Sequence, residues 1–153
     1  MGFLLLKGRP DSSDFFRNVF DLVGDSVATI QCRTPPDDVK LLYDRSRVGV
    51  DFELEKLSSS EKQLVYYCKF DREFSHQLSV LPERFAEPDY VEAFSIVKNR
   101  VLLVHWMDVF SSNPCWISTQ LDRRSVERFS RQMGMKIEEV DDPKFFYDSF
   151  RKR

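Results

Sequence analysis

The residues best suited to acid–base or nucleophilic chemistry are few, because the chain has only two histidines and three cysteines. A cysteine thiol becomes a nucleophile when a nearby base lowers its pKa, so His105 and Cys115 form a candidate catalytic pair. Asp108 or Glu92 would supply the carboxylate that completes the set. Catalytic partners meet in space rather than in sequence, so the alternative of a core histidine and a buried thiol stays open.

Patterns that bind metals or cofactors are missing from the sequence. It contains no Cys-x-x-Cys pair, no His-x-x-x-His pair and no Asp-x-Asp-x-Asp-Gly loop. The five glycines are too scattered to build a Walker loop or a dinucleotide fingerprint. The Gly-x-Ser-x-Gly elbow of many hydrolases is also absent. We therefore predict neither a cofactor nor a metal site, although ligands from distant positions could still converge.

Acidic side chains cluster at three places along the chain. The clusters are Asp51, Glu53 and Glu55; Glu138, Glu139, Asp141 and Asp142; and Asp37 and Asp38. Rows of one sign on a rigid sheet attract a partner of the opposite sign, so the pattern favours a basic protein partner.

The predicted partner-binding residues join two of these acidic clusters to one aromatic anchor. Tyr66 and Tyr67 are adjacent, so in a strand they point to opposite faces, and Tyr67 is the one expected to leave the core face. The predicted set is Asp51, Glu53, Glu55, Tyr67, Glu138, Glu139 and Asp141. The alternative is that these residues form solvated faces that keep the protein soluble.

A basic helix offers a second charged surface. At about 100° per residue, Arg124, Arg128 and Arg131 fall on one helix face, with Arg123 beside them. Such a face could bind nucleic acid or an acidic protein. A net charge of −2 and the lack of interleaved aromatic residues disfavour nucleic acid.

The N-terminal third predicts a β-α-β unit. Phe3 to Lys7 reads as a short buried strand, and a helix follows that Asp11 or Ser12 caps and Gly24 ends. Val27 to Arg33 is a second strand. A short helix capped by Asp37 is expected from Asp37 to Asp44.

The middle third predicts two hairpins. Val48 to Leu54 alternates in period two and is expected to pair with Leu64 to Phe70 across a turn at Ser58–Glu61. His76 to Leu81 is expected to form a short strand. Tyr90–Val97 and Arg100–Val109 flank Lys98-Asn99 as the second hairpin, and its apolar second strand is expected at the centre of the sheet.

The last third alternates short strands with helices. Trp116–Ser118 is expected to be extended, and Thr119 or Asp122 caps a helix that ends at Gly134. Met135–Val140 reads as a strand. Asp142-Pro143 then opens a terminal helix with Phe145, Phe146 and Phe150 on its buried face.

Length and composition fit one domain spanning residues 1–153. A chain of 153 residues with 42% hydrophobic residues and 14 phenylalanines can bury a core without disulfides or metals. The predicted fold is α+β, with a mainly antiparallel sheet of about five to seven strands, an N-terminal β-α-β unit and two C-terminal helices.

The chain is expected to be cytoplasmic. No apolar run approaches the roughly 20 residues needed to cross a bilayer, and Phe3–Leu6 is too short for a signal peptide core. The odd number of widely spaced cysteines is typical of reduced thiols. We expect no membrane partner, and the sequence leaves the oligomeric state open.

These features favour a non-enzymatic protein-binding module over the other classes. Its narrower form is a small cytosolic inhibitor or immunity-type protein that neutralises a basic partner protein or toxin. The first alternative is a small enzyme built around His105 and Cys115. The second is a nucleic-acid-binding domain that uses the Arg123–Arg131 helix face.

Overall fold

The computed structural model describes residues 2–54, 64–87, 89–139 and 150–152, which form one α+β domain. The elements in chain order are β1 (Phe3–Lys7), α1 (Ser12–Val23), β2 (Ser26–Cys32), α2 (Asp37–Arg45), β3 (Phe52–Leu54), β4 (Leu64–Phe70), α3 (Arg72–Val80), a 3₁₀ turn (Leu81–Glu83), β5 (Ala93–Lys98), β6 (Val101–Met107), β7 (Cys115–Ser118), α4 (Arg123–Met133), β8 (Lys136–Glu139) and β9 (Phe150–Lys152).

The main sheet is open and has seven strands in the order β4-β2-β5-β6-β7-β1-β8, with every neighbouring pair antiparallel. The predicted fold class is therefore confirmed. β6 is the central strand, as its doubly apolar sequence predicts. The N-terminal β-α-β order is also correct, but β5, β6 and β7 separate β1 from β2 in the sheet.

One face of this sheet, the helix face, carries the main core. α1, α2, α3 and α4 all bury apolar side chains in the same cluster, against residues such as Phe94 and Trp106 of the central strands. The Phe15 ring lies 5.1 Å from the Trp106 ring, and the Phe16 ring lies 5.3 Å from the Phe94 ring, both edge-on. Each such pair adds about 1 kcal/mol beyond area burial, so the phenylalanine-rich composition produces a densely aromatic core.

The helix ends mostly follow the predicted signals. The Asp11 carboxylate accepts hydrogen bonds from the N–H groups of Ser13 and Asp14, and Asp122 accepts one from the N–H of Ser125. Gly134 ends α4 in the left-handed conformation, with φ 64°. The prediction for α2 was wrong in one respect: Asp37 is its first helical residue and Pro36 precedes it, without a side-chain cap.

The predicted hairpin between residues 48–54 and β4 does not form. β3 is only three residues long and pairs with β9 in a separate two-stranded sheet. Ser46–Val48 instead runs beside β4, with the Val48 N–H bonded to the Tyr67 carbonyl at 2.9 Å. An alternation of apolar and polar residues indicates that one face of a strand is buried, but it does not indicate which strand is the partner. The predicted pairing was wrong for this reason. The predicted turn at residues 58–61 lies outside the described residues.

The strand predicted at residues 76–81 is a helix. The Asp71 carboxylate accepts a hydrogen bond from the Phe74 N–H at 2.8 Å, and α3 begins at Arg72, four residues before the predicted strand. Phe74 and Leu78 are buried four residues apart, the spacing of one helix face. Local capping overrode the short apolar run that suggested a strand.

The second predicted C-terminal helix falls mostly on residues 140–149, which lie outside the described residues. One part of it was wrong, because Phe150 belongs to strand β9 rather than to a helix. The first predicted C-terminal helix is α4, and β8 follows it as expected.

Candidate functional site

His105 and Cys115 lie on neighbouring strands but on opposite faces of the sheet. His105 is paired with Trp116 on the second face, the one opposite the helix face, so the side chain of the preceding Cys115 points the other way. Cys115 belongs to the helix-face core and is fully buried. The structure therefore does not bring the candidate catalytic pair together.

The electrostatics of these two residues also oppose catalysis. Burial raises the pKa of the Cys115 thiol and lowers the pKa of His105 to about 4. The thiol is therefore protonated and the imidazole neutral near neutral pH. A catalytic cysteine needs a lowered thiol pKa, which is the opposite of the shift at Cys115. The nucleophile and its base also need access to the substrate.

Glu92, one of the candidate carboxylates, is held by an arginine. Arg33 binds it with two hydrogen bonds, Nε to Oε2 at 2.8 Å and Nη2 to Oε1 at 3.1 Å. Glu92 is 8% exposed, whereas the Arg33 side chain is half exposed. These two residues and Asp108, the other candidate, line a cavity of about 160 Å³. Neither His105 nor Cys115 lines this cavity, so the cluster ties strand ends together rather than completing a catalytic set.

The second face carries one continuous row of side chains across all seven strands. In order, the row is Tyr67, Thr29, Ser95, His105, Trp116, Leu5 and Glu138, each opposite the next on the neighbouring strand. Six strand spacings of about 4.8 Å make it about 29 Å long. Two predicted contact residues, Tyr67 and Glu138, therefore stand at its two ends.

The middle of this polar row is buried. Thr29, Ser95 and His105 are all at most 2% exposed, and Ser95 Oγ lies 2.6 Å from His105 Nδ1. A serine–histidine hydrogen bond resembles part of a hydrolytic site, but a serine without solvent access cannot attack a substrate. The Ser95–His105 contact is better understood as a buried hydrogen bond that supports the pairing of β5 and β6.

Three of the predicted acidic contact residues, Asp51, Glu138 and Glu139, are exposed, and neighbouring cations compensate them. Glu138 lies 2.7 Å from Lys7 Nζ, and Glu139 lies 3.0 Å from Arg123 Nη1. Asp51 forms an ion pair with Arg100, and both residues line a cavity of about 480 Å³ on the second face.

The remaining predicted contact residues divide between the two sheets and the undescribed segments. Tyr67 is half-buried and packs beside Val50 against an apolar cluster on the second face. Glu53 is paired with Arg151 in the backbone register of β3 and β9. Glu55 and Asp141 lie outside the described residues. The structure thus places Asp51 and Tyr67 near one apolar cluster and Glu138 with Glu139 on the far edge strand.

The arginines of α4 form the most clearly uncompensated charged surface. Arg124, Arg128 and Arg131, here called the arginine face, are exposed on the side of α4 opposite its buried side chains. Among the described residues none of the three has an ion-pair partner. Two of them, Arg124 and Arg128, act on Asp122, whose pKa is lowered first by hydrogen bonds from Ser125 and then by these two charges. Arg123 differs, because Glu127 and Glu139 both bind it.

Within the described ranges there is no group of three or more His, Cys, Asp or Glu side chains arranged to hold a metal ion. The helices in those ranges are all too short or too polar to cross a membrane. No protein-family model, curated protein or solved structure matches the chain at a significant level.

Proposed function

We propose that this chain is a non-enzymatic protein-binding module that uses the arginine face of α4 to bind an acidic protein surface. The observation that carries the proposal is the contrast between the two kinds of charge. The predicted acidic contact residues Asp51, Glu138 and Glu139 each face a cation of the same chain, whereas the arginine face has no such partner within the described residues. Uncompensated charge is what remains available to attract a partner.

The buried state of the reactive side chains supports a binding role over an enzymatic one. Cys115 and Ser95 have no access to solvent, and His105 is neutral and buried. A catalytic site needs its nucleophile and base together at an accessible position. Burial instead suits these residues to holding the sheet, while the charged surface of α4 is free to act.

An acidic protein fits the arginine face better than nucleic acid does. Arg131 lies seven residues after Arg124, or about 10 Å further along the helix axis. Nucleic-acid binders usually neutralise several phosphates over a longer track and carry a basic excess, whereas this chain has a net charge of −2. Guanidinium groups also bind carboxylates in a two-pronged manner, which gives specificity to a small protein contact.

The second candidate keeps the acidic residues as the interface and a basic protein as the partner. Its narrower form is the inhibitor or immunity-type protein that the sequence suggests. The side chains of Asp51, Glu138 and Glu139 are all more than half exposed. Exposed ion pairs contribute only about 0–1 kcal/mol, so a partner's cations could replace Lys7, Arg100 and Arg123.

A binding assay with charged polymers separates these candidates. Fluorescent poly-L-glutamate, poly-L-lysine and a DNA oligonucleotide would each be titrated with the protein at low salt. We expect poly-L-glutamate to bind, and Arg124→Glu/Arg128→Glu to weaken binding about tenfold or more, because each lost charge pair costs about 1 kcal/mol. Arg17→Glu/Arg45→Glu is the matched control, since it makes the same charge change at exposed arginines of other helices.

The other outcomes are equally informative. Preference for DNA over poly-L-glutamate would assign the arginine face to nucleic acid. Binding of poly-L-lysine that Asp51→Lys/Glu138→Lys removes would favour the acidic interface. No binding of any polymer, or equal loss in the control variant, would contradict the arginine-face proposal. Affinity capture from lysate with the same variants would then identify the natural partner of whichever face binds.

A further inference from the structure

The two edge strands of the seven-stranded sheet, β4 and β8, differ in what lies along their outer sides. At the β4 edge, Ser46–Val48 lies alongside, and its Ser46 carbonyl and Val48 N–H bond to Lys69 and Tyr67. At the other edge, β8 pairs with β1 on one side, and no described residue pairs with its outer side. An open strand edge presents N–H and C=O groups that another strand can bind.

The side chains of β8 are complementary to those of a second β8 in one register. Lys136 and Glu138 point to the second face, and Ile137 and Glu139 to the helix face, by alternation. Two antiparallel copies keep their faces aligned only when the two-fold axis passes through a residue. An axis at Ile137 sets Lys136 opposite Glu138 of the second copy, twice, and sets Ile137 opposite Ile137.

The other three registers are unfavourable. An axis at Lys136 would oppose two lysines, and an axis at Glu138 or Glu139 would oppose two glutamates. Like charges directly opposite each other destabilise a strand pair, whereas opposite charges stabilise it. The sequence Lys-Ile-Glu on this strand therefore selects one pairing of two copies and opposes the neighbouring ones.

We propose that β8 binds β8 of a second copy of this chain, antiparallel and centred on Ile137, so that the two seven-stranded sheets become continuous. Glu138 can take part while still bound to Lys7, because a carboxylate accepts several hydrogen bonds. Both side chains of that ion pair are about half exposed, which leaves room for Lys136 of the second copy. The proposal does not rest on the arginine face, which points away from the sheet.

The dimer is expected to be weak. β8 has four residues, so the backbone contact is short and lies at the small end of specific interfaces. Short, charged edge strands also occur as protection against pairing, and that reading predicts a monomer at every concentration. The charge pattern distinguishes a pairing strand from a protected one. A strand protected by charge should repel a second copy in every register, whereas β8 attracts one in a single register.

Analytical ultracentrifugation of the full chain at low salt tests the proposal. We expect a monomer at about 5 µM and an increasing dimer fraction towards about 500 µM, the range in which weak interfaces dissociate. Lys136→Glu alone, or Glu138→Lys alone, should abolish the dimer by setting like charges opposite each other. An equimolar mixture of these two variants should dimerise again, because each supplies the charge that the other lacks.

Three further variants, one of them a control, test the register of the proposed pairing. The swap Lys136→Glu/Glu138→Lys should restore the homodimer, and Lys40→Glu, an exposed control on α2, should leave it unchanged. Ile137→Cys should form a disulfide-linked dimer on mild oxidation, because directly opposite Cα atoms lie about 4.5–5.5 Å apart.

Several outcomes would overturn the proposal. A wild-type monomer at all concentrations would refute self-association, and a dimer that every charge variant retains would place the contact elsewhere. A mixture of the two single variants that stays monomeric would refute the register. Circular dichroism of each variant checks that it is folded, and the mixture remains decisive if one variant is less stable.

Discussion

Ser95 and His105 face each other across the β5–β6 hairpin, with Ser95 Oγ 2.6 Å from His105 Nδ1 at the buried centre of the second face. Both side chains are at most 2% exposed. Their neighbours along the row, Thr29 and Trp116, are uncharged, so the imidazole is in an environment that favours its neutral form. A buried neutral histidine makes folding sensitive to acid.

The free energy of unfolding should fall between about pH 6.5 and pH 4 through His105. Burial lowers the pKa of this histidine from 6.5 to about 4 in the folded chain. The unfolded chain therefore binds one more proton in that window, and stability is lost as the pH falls, at about 1.4 kcal/mol per pH unit at most. His105→Gln removes this contribution but not that of the carboxylates.

Urea unfolding of wild type and His105→Gln at several pH values checks this expectation. The stability advantage of the wild type should shrink steadily as the solution is acidified. His76→Gln makes the same substitution at the exposed histidine and is the matched control. Parallel curves for wild type and His105→Gln would mean that His105 titrates normally in the folded chain.

The sequence predicts the hairpin that carries this pair but not the pairing itself. The predicted turn at Lys98-Asn99 and the apolar flanks indicate two adjacent antiparallel strands, which the structure confirms with the turn one residue later, at residues 99–100. A regular hairpin that pairs Lys98 with Val101 would set Ser95 opposite Val104. A register shift between Ile96 and Val97 moves Ser95 to His105. Nothing local in the sequence signals that bulge, so the buried polar pair could not be predicted.

Most helix ends fixed by local signals were predicted well, with α3 as the exception, whereas the pairing of β3 with a distant strand was not predicted. Asp11, Asp122 and Gly134 mark helix ends through bonds within a few residues, and the structure confirms all three. The pairing of β3 depends instead on β9, about a hundred residues away. The ion pairs of the acidic residues also depend on distant partners. Lys7 meets Glu138 because β1 and β8 are neighbours in the sheet, and no spacing in the sequence predicts that.

Loss of Arg33 should destabilise the fold more than loss of an ion pair between two exposed side chains. Glu92 is nearly buried, and removing the guanidinium leaves its carboxylate without a counter-charge. Arg33→Met keeps the aliphatic contact and removes the charge. Chemical denaturation should also show that Arg33→Met/Glu92→Met recovers most of the loss.

A surface pair provides the control for that measurement. Arg17→Met removes a partner from Asp14, but both side chains of this pair are about half exposed. Its effect should stay within about 0.5 kcal/mol. Equal effects at Arg17 and Arg33 would show that the Glu92 carboxylate reaches water and that the clamp at the strand ends is weak.

Arg100→Gly should stabilise the protein even though it removes the ion pair with Asp51. Asn99 and Arg100 form the two-residue β5–β6 turn with φ 51° and 65°, and the second position of such a turn normally takes glycine. Relief of the left-handed strain is worth about 1 kcal/mol, whereas an exposed ion pair contributes about half of that. Thermal unfolding should show a higher midpoint for Arg100→Gly.

A lower midpoint would mean that the Asp51–Arg100 contact holds residues 49–51 against the sheet more strongly than an ordinary surface pair. Asp51→Asn should then lower the midpoint to a similar extent.

The three cysteines should react slowly, and at similar rates, with a thiolate-selective alkylating reagent in the folded chain. Cys32, Cys68 and Cys115 are free and buried, and burial raises the pKa of Cys32 and of Cys68 from 9.0 to about 12. That shift alone lowers the thiolate fraction about a thousandfold near neutral pH. Burial raises the pKa of Cys115 as well.

Mass spectrometry of peptides after timed alkylation measures each site separately. Modification should require opening of the core, so all three rates should rise together in denaturant and converge on the rate of an exposed thiol. A Cys115 that reacts more than about tenfold faster than the other two, under native conditions, would mean that this thiol is accessible and activated. The enzyme hypothesis would then regain support, and the base would have to be sought on the helix face, because His105 points to the other side of the sheet.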